Sequence, residues 1–167
     1  MGELAFDVRG NLVPYKRVQL SFEELKALLV SSFDPSSTRH TIFENYCRFL
    51  DDFHSLITPR FTQWINGSFV TKKENPADID FVTIIEWETF LEYEQLIEKQ
   101  FRQVGARKIY GVDAYTIRKY PEGHQKHLLY QHELTYWNSW FSSTKKNRAK
   151  MKFPKGFIEV EFGTANL

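Results

Sequence analysis

One seven-residue stretch does most to limit what this chain can fold into. Ile79-Asp-Phe-Val-Thr-Ile-Ile85 is almost continuously apolar and β-branched, and the turn residues Glu74-Asn75-Pro76 precede it. It is shorter than an ordinary helix and apolar at both alternating sets of positions, so it reads as a largely buried strand. A strand of that kind belongs to a sheet with layers packed against it, and the flanking sequence offers helices for the purpose.

Those helices are legible from spacing. Ser21-Phe22-Glu23-Glu24 is a capping box, and Leu25, Leu28 and Leu29 then share one helical face. Asp34-Pro35-Ser36-Ser37 breaks that helix. A second follows, with Ile42, Phe43, Tyr46, Phe49, Leu50, Phe53 and Leu56 at intervals of three and four. Residues 89–103 carry helical spacing through Phe90, Ile97 and Phe101, with Gly105 placed as a C-cap. Residues 124–143 form an aromatic helix. Phe61–Ile65, Val112–Ile117 and Phe157–Phe162 are the further strands, and residues 1–20 read as an arm or short hairpin. The expected fold is α/β (α+β), a mixed β-sheet of about four to five strands flanked by helices. It forms a single domain: an arm and two helices over 1–57, a core over 61–117, and a last helix and strand over 120–167.

Composition narrows function only by exclusion. An aromatic fraction of 16% implies a dense interior, while a net charge of +1 gives no bulk attraction for nucleic acid. Cys47 is the only cysteine, which excludes an intrachain disulfide and a cysteine-based zinc cluster. Met1–Gly10 lacks a signal-peptide pattern, and no apolar run approaches the ~20 residues of a membrane span, so a cytoplasmic protein without membrane contact is expected.

The chemistry concentrates around residues 64–85. Asp78 and Asp80 are two apart at the entrance to the apolar strand and project together, and paired carboxylates repel unless a cation neutralises them. Mg²⁺ favours such oxygen ligands together with substrate phosphates. Gly67-Ser68 follows a short strand, where glycine lets the backbone approach a phosphate and serine adds a hydroxyl. Taken separately, a lone Asp-x-Asp or Gly-Ser is most simply a solvated turn.

Together, Ile65-Asn66-Gly67-Ser68 and Asp78-Ile79-Asp80-Phe81-Val82 resemble the motif of the nucleotidyltransferase superfamily, the fold of DNA polymerase beta and the minimal nucleotidyltransferases. The stretch from Trp64 to Asp80 looks like a bacterial branch of that superfamily. The resemblance implies that Asp78 and Asp80 ligate Mg²⁺ or Mn²⁺ and that Gly67 and Ser68 hold the phosphates of a nucleoside triphosphate. It also implies a third carboxylate on a neighbouring strand. Asp113, in Tyr110-Gly-Val-Asp-Ala-Tyr-Thr-Ile, is preferred as catalytic base and third metal ligand, with Glu159 and Glu161 as rivals on what reads as an edge strand. Many relatives carry an arginine or second glycine after Gly-Ser, whereas this chain has Phe69-Val70-Thr71-Lys72-Lys73, so Lys72 or Lys73 is the triphosphate-binding candidate. The separate helical domain that usually holds base or acceptor is missing.

Three functions are therefore carried forward. The first is a nucleotidyltransferase moving a nucleoside monophosphate to a protein hydroxyl or an RNA end. The second is a weak or inactive binding module with a protein partner encoded nearby, as in a toxin–antitoxin or defence pair. The third is a two-metal nuclease using Glu159 or Glu161. His124, His127 and His132 do not share a helical face and are not expected to bind metal. Tyr136, Trp137, Trp140 and Phe141 read first as core and second as a base-stacking surface. Lys145, Lys146, Arg148, Lys150 and Lys152 read first as a solvated basic turn and second as a steering patch.

Overall fold

The computed structural model describes residues 4–163. It is an α+β fold with a five-stranded mixed sheet and a two-stranded hairpin. The hairpin pairs β1 (Ala5–Phe6) with β2 (Leu12–Val13), and β3 (Arg17–Gln19) then enters the main sheet. Helix α1 (Phe22–Lys26) starts at the capping box, with the Ser21 hydroxyl accepting from the Glu24 amide and the Glu24 carboxylate accepting from the Ser21 amide. It continues as a wider π-type turn over Ala27–Ser31. Helix α2 (Arg39–Leu56) carries the expected apolar stripe from Ile42 to Phe53, while Leu56 at its end is exposed.

The main sheet is completed by β4 (Phe61–Asn66), β5 (Asp80–Glu86), β6 (Asp113–Lys119) and β7 (Phe157–Phe162), in the order β3-β7-β4-β5-β6. Strand β4 runs antiparallel to both β5 and β7, while β5 and β6 are parallel. Two expectations change here. Strand β7 is not an edge, because β3 covers its outer side. The helical region after β5 is not one helix ending at Gly105. It consists of α3 (Trp87–Glu92), α4 (Glu94–Leu96) with a π-type turn over Ile97–Phe101, and α5 (Gln103–Tyr110). Gly105 lies inside α5, where an added Cβ would stand 2.1 Å from the Lys99 carbonyl oxygen. The left-handed cap is Gly111 (φ +70°) instead.

Helix α2 covers one face of the sheet. Phe49 packs edge-on against Phe81, Phe101 and Tyr110, at centroid distances of 4.9, 5.4 and 5.4 Å. Polar groups on this face include a buried string in which the Tyr46 hydroxyl donates to Gln63 (2.5 Å) and the Gln63 amide donates to Thr83 (2.9 Å). The other face is covered by α6 (His127–Phe141). There Trp64, Val82, Ile84, Ile117 and Phe157 form a smaller cluster with Phe141. Only Phe141 of α6 is fully buried, so this cover is thin and leaves the strand ends reachable. Among the described residues no helix is long and apolar enough to cross a membrane.

Candidate functional site

Register brings the site together. Because β5 and β6 are parallel, their first residues are neighbours, and Asp80 lies directly opposite Asp113. Because β4 is antiparallel to β5, its last residue reaches the same edge, and Asn66 lies opposite Asp80 from the other side. The result is a row, Asn66–Asp80–Asp113, along one end of the sheet. Asp78 precedes the strand rather than belonging to it, but it borders the same cavity and its charge acts on Asp80.

The chain leaves β4 through Gly67 at φ +78°, a left-handed conformation that suits glycine. Space demands it as well: a Cβ there would sit 1.8 Å from Oδ2 of Asp80. The Gly67 backbone is therefore pressed against the central carboxylate, and Ser68–Val70 turns away as a short 3₁₀ segment.

That loop is held from behind by Arg39. Its side chain is 0% exposed, and its five N–H groups are all used on carbonyl oxygens. Nη1 donates to Leu29 (2.9 Å) and Phe69 (2.7 Å), Nη2 to Thr71 (2.7 Å) and Lys73 (2.7 Å), and Nε to Lys73 (3.1 Å). Burial lowers its pKa to about 10, with the charge of Glu74 opposing the shift, so it stays a cation at neutral pH. The N-terminus of α2 adds further ties, Ser37 to the Glu74 carbonyl (2.5 Å) and Thr38 to the Pro76 carbonyl (2.7 Å).

A cavity of about 550 Å³ opens in front of the loop. Asn66, Gly67, Ser68, Asp78 and Asp80 line it from the end of the sheet, and Trp140, Phe141 and residues 143–146 from the end of α6 and the loop after it. Its electrostatics are unbalanced. Burial, then the charges of Asp78 and Asp113, push the Asp80 carboxyl up to about 6, while Lys145 pulls it down. Lys155 is only 4% exposed, donates to the Gly67 carbonyl (2.8 Å), and is pushed down to about 8 by burial against the opposing effect of Asp80. Lys145, Lys146 and Lys152 complete a basic rim. Asn66 is 6% exposed, and its Oδ1 accepts no hydrogen bond from the described residues.

The expected site residues divide cleanly. Gly67, Ser68, Asp78 and Asp80 line one cavity, and Asp113 joins through its contact with Asp80. Asp113 faces a second cleft, beside Tyr115, where Arg107 binds its Oδ2 at 3.2 Å. Lys72 and Lys73 do not reach the cavity. Both are exposed, the Lys72 amide donates to the Gly10 carbonyl (2.8 Å), and the Lys73 carbonyl serves Arg39. Glu159 shares the sheet face with Asp80 but accepts from Trp64 Nε1 (2.6 Å) and pairs with Arg17 (3.4 Å), two strands from β5. Glu161 is exposed. Of the three histidines, His124 lies against Trp87 and Tyr120 at 4.9 and 4.7 Å, His127 Nδ1 is 2.9 Å from the Tyr120 carbonyl oxygen, and His132 is exposed.

Three contributors escaped the sequence reading. Arg39 had a signal, since it lies three, four and seven residues before Ile42, Phe43 and Tyr46 on the apolar face of α2. Asn66 is a polar residue ending an apolar strand, a weak sign. Lys155 had none that set it apart from the basic run before it.

Oxygen ligands of this kind suit a hard divalent cation. The described residues contain no ready-made group of three or more such ligands, and Asp113, while still beside Asp80, also pairs with Arg107. The profile of DUF6932, a family of unknown function, matches residues 4–161, and the chain belongs to that family. No curated protein and no solved structure gives a significant match.

Proposed function

We propose that this protein is a metal-dependent nucleotidyltransferase of the polymerase-beta-like superfamily, moving a nucleoside monophosphate from a triphosphate to a protein hydroxyl or an RNA end. The observation that carries the reading is the close fit of the Gly67 backbone on Asp80 at the mouth of a lysine-rimmed cavity. Carboxylates and ammonium groups meet there without neutralising one another, which is the arrangement a phosphate–metal complex completes.

In this reading Asp78 and Asp80 hold Mg²⁺ or Mn²⁺, and Asp113 joins them when Arg107 releases it. The bound cation supplies positive charge to the phosphate oxygens and the leaving group. Gly67 and Ser68 bring the loop backbone against the phosphates. Lys155, in place of Lys72 or Lys73, balances their charge from inside the cavity, and Lys145, Lys146 and Lys152 do so from its rim. Asp113, on the side of the second cleft, accepts the proton of the attacking hydroxyl.

The test is the thermal shift produced by each nucleoside triphosphate with Mg²⁺ or Mn²⁺, followed by transfer of radiolabelled nucleotide to cell-extract proteins and RNA. A metal-dependent shift that disappears in the Asp78→Asn/Asp80→Asn variant, at nucleotide ~100 times its dissociation constant, corresponds to about 2.7 kcal/mol. The absence of a shift with any triphosphate would sink the proposal.

One observation favours the second reading, a weak or inactive module of a toxin–antitoxin or defence pair. Arg107 already neutralises Asp113 within the chain. Nucleotide binding without any transfer, together with a stable complex with a neighbouring gene product, would select it. The nuclease reading through Glu159 loses its support, because that carboxylate is committed to Trp64 and Arg17.

A further inference from the structure

The far wall of the cavity has a composition that phosphate binding does not use. Aromatic side chains on α6 part company there. Trp137 packs on Tyr115 (4.8 Å) and Phe141 on Phe157 (5.6 Å), as core residues do. Trp140, in the last turn of the same helix, remains 49% exposed and borders the cavity. Tyr136 lies nearly parallel to its indole (6.4 Å between centroids, 11° between planes), and the Lys152 ammonium stands 5.6 Å from the ring centroid. A single exposed aromatic needs no explanation. One that borders a lysine-rimmed cavity, with carboxylates among the other lining residues, has the makings of a ligand contact.

Across the cavity the wall is polar and charged: Asn66, Ser68, Asp78 and Asp80 line it beside Lys155. A molecule suited to both walls has a planar face, hydrogen-bond donors and negative charge. Inorganic phosphates lack the first of these, and a nucleotide has all three.

We propose that the last turn of α6 is the nucleobase platform, with the base stacked on Trp140 and the phosphates directed past Lys152 toward Lys155 and Gly67. This rests on the nucleotidyltransferase reading and adds to it where the base lies. Lys152, displaced from above the indole by the base, is long enough to turn to the phosphates.

The test compares binding of ATP, GTP, CTP and UTP with that of inorganic tripolyphosphate, each with Mg²⁺, by calorimetry on the full chain. Wild type, Trp140→Ala and Trp140→Phe are measured, and their melting curves check folding. Stacking predicts that Trp140→Ala weakens the preferred triphosphate roughly tenfold and leaves tripolyphosphate unchanged, with Trp140→Phe retaining most of the affinity. It also predicts that the nucleotide quenches indole fluorescence in wild type and not in Trp140→Phe. Wild-type affinity for the nucleotide in Trp140→Ala would overturn the stacking site while leaving the nucleotide reading intact. Failure of wild type to bind either nucleotide or tripolyphosphate would overturn both.

Discussion

Two buried charges sit on opposite sides of the same loop, and they are handled in opposite ways. Arg39, behind the loop, has a partner for each of its five N–H groups and no access to solvent. Asp80, in front of it, faces two further carboxylates, is pushed up to about 6, and opens onto a cavity. A charge satisfied by the chain fixes architecture and has nothing left to offer a ligand. A charge the chain leaves unbalanced holds interaction energy in reserve for whatever enters. The loop between them, Gly67 to Lys73, thus separates a finished structure from an unfinished one.

The comparison breaks most readily at Arg39. Replacing it by methionine strips donors from four backbone carbonyls, and an expected stability loss of about 3–5 kcal/mol follows from leaving buried partners unsatisfied. Urea denaturation measures it, and a loss below about 1 kcal/mol would show that Arg39 is not what holds the loop. Gly67→Ala comes next. Its Cβ collides with Asp80 at a positive φ, so about 2–3 kcal/mol of destabilisation is expected, with loss of any nucleotide-induced thermal shift.

Asp80→Asn sharpens the contrast because its expected sign is reversed. The native carboxyl keeps its proton up to about pH 6, whereas the unfolded one releases it near 3.8. Ionisation of native Asp80 is therefore a cost that is absent below about pH 4, grows as pH rises through 6, and is complete above it. Without metal, Asp80→Asn is expected to be more stable than wild type at pH 8 by roughly 1–2 kcal/mol, after discounting for partial exposure. The gain should vanish near pH 4, which melting curves across that range test directly. A variant less stable than wild type at pH 8 would mean that Asp80 is satisfied in the metal-free protein. Arg107→Gln has the smallest expected effect on stability, within about 1 kcal/mol for a pair whose guanidinium is largely exposed. Its larger consequence is expected in Mn²⁺ affinity, which should rise severalfold as the competing guanidinium leaves Asp113; calorimetric titration would show unchanged affinity if Arg107 does not compete.

Much of the front side was legible before the structure. Gly67-Ser68 and Asp78-x-Asp80 are short-range patterns, and their spacing survives in the folded chain because a turn and a strand entrance are local features. Asp113 could be preferred but not selected, since its position beside Asp80 depends on parallel pairing across a 26-residue interval that no local pattern encodes. The same limit misplaced β7 as an edge, because its cover, β3, comes from the opposite end of the chain. Lys72 and Lys73 were plausible by proximity in sequence and failed by direction. Arg39 draws the loop's carbonyls inward, and the two lysine side chains end on the outside.

What the sequence by itself determined was four of the five strands of the main sheet, the buried central strand among them, the α2 stripe, and the two short motifs at the strand ends. Periodicity and turn chemistry act over a few residues, and one chain displays them fully. Only the tertiary structure decided which carboxylate stands beside Asp80, which lysine reaches the cavity, and which aromatic of α6 faces it rather than the core. Those choices depend on strand register and on long-range packing, where a buried guanidinium and a thin helical cover outweigh any preference written in neighbouring residues.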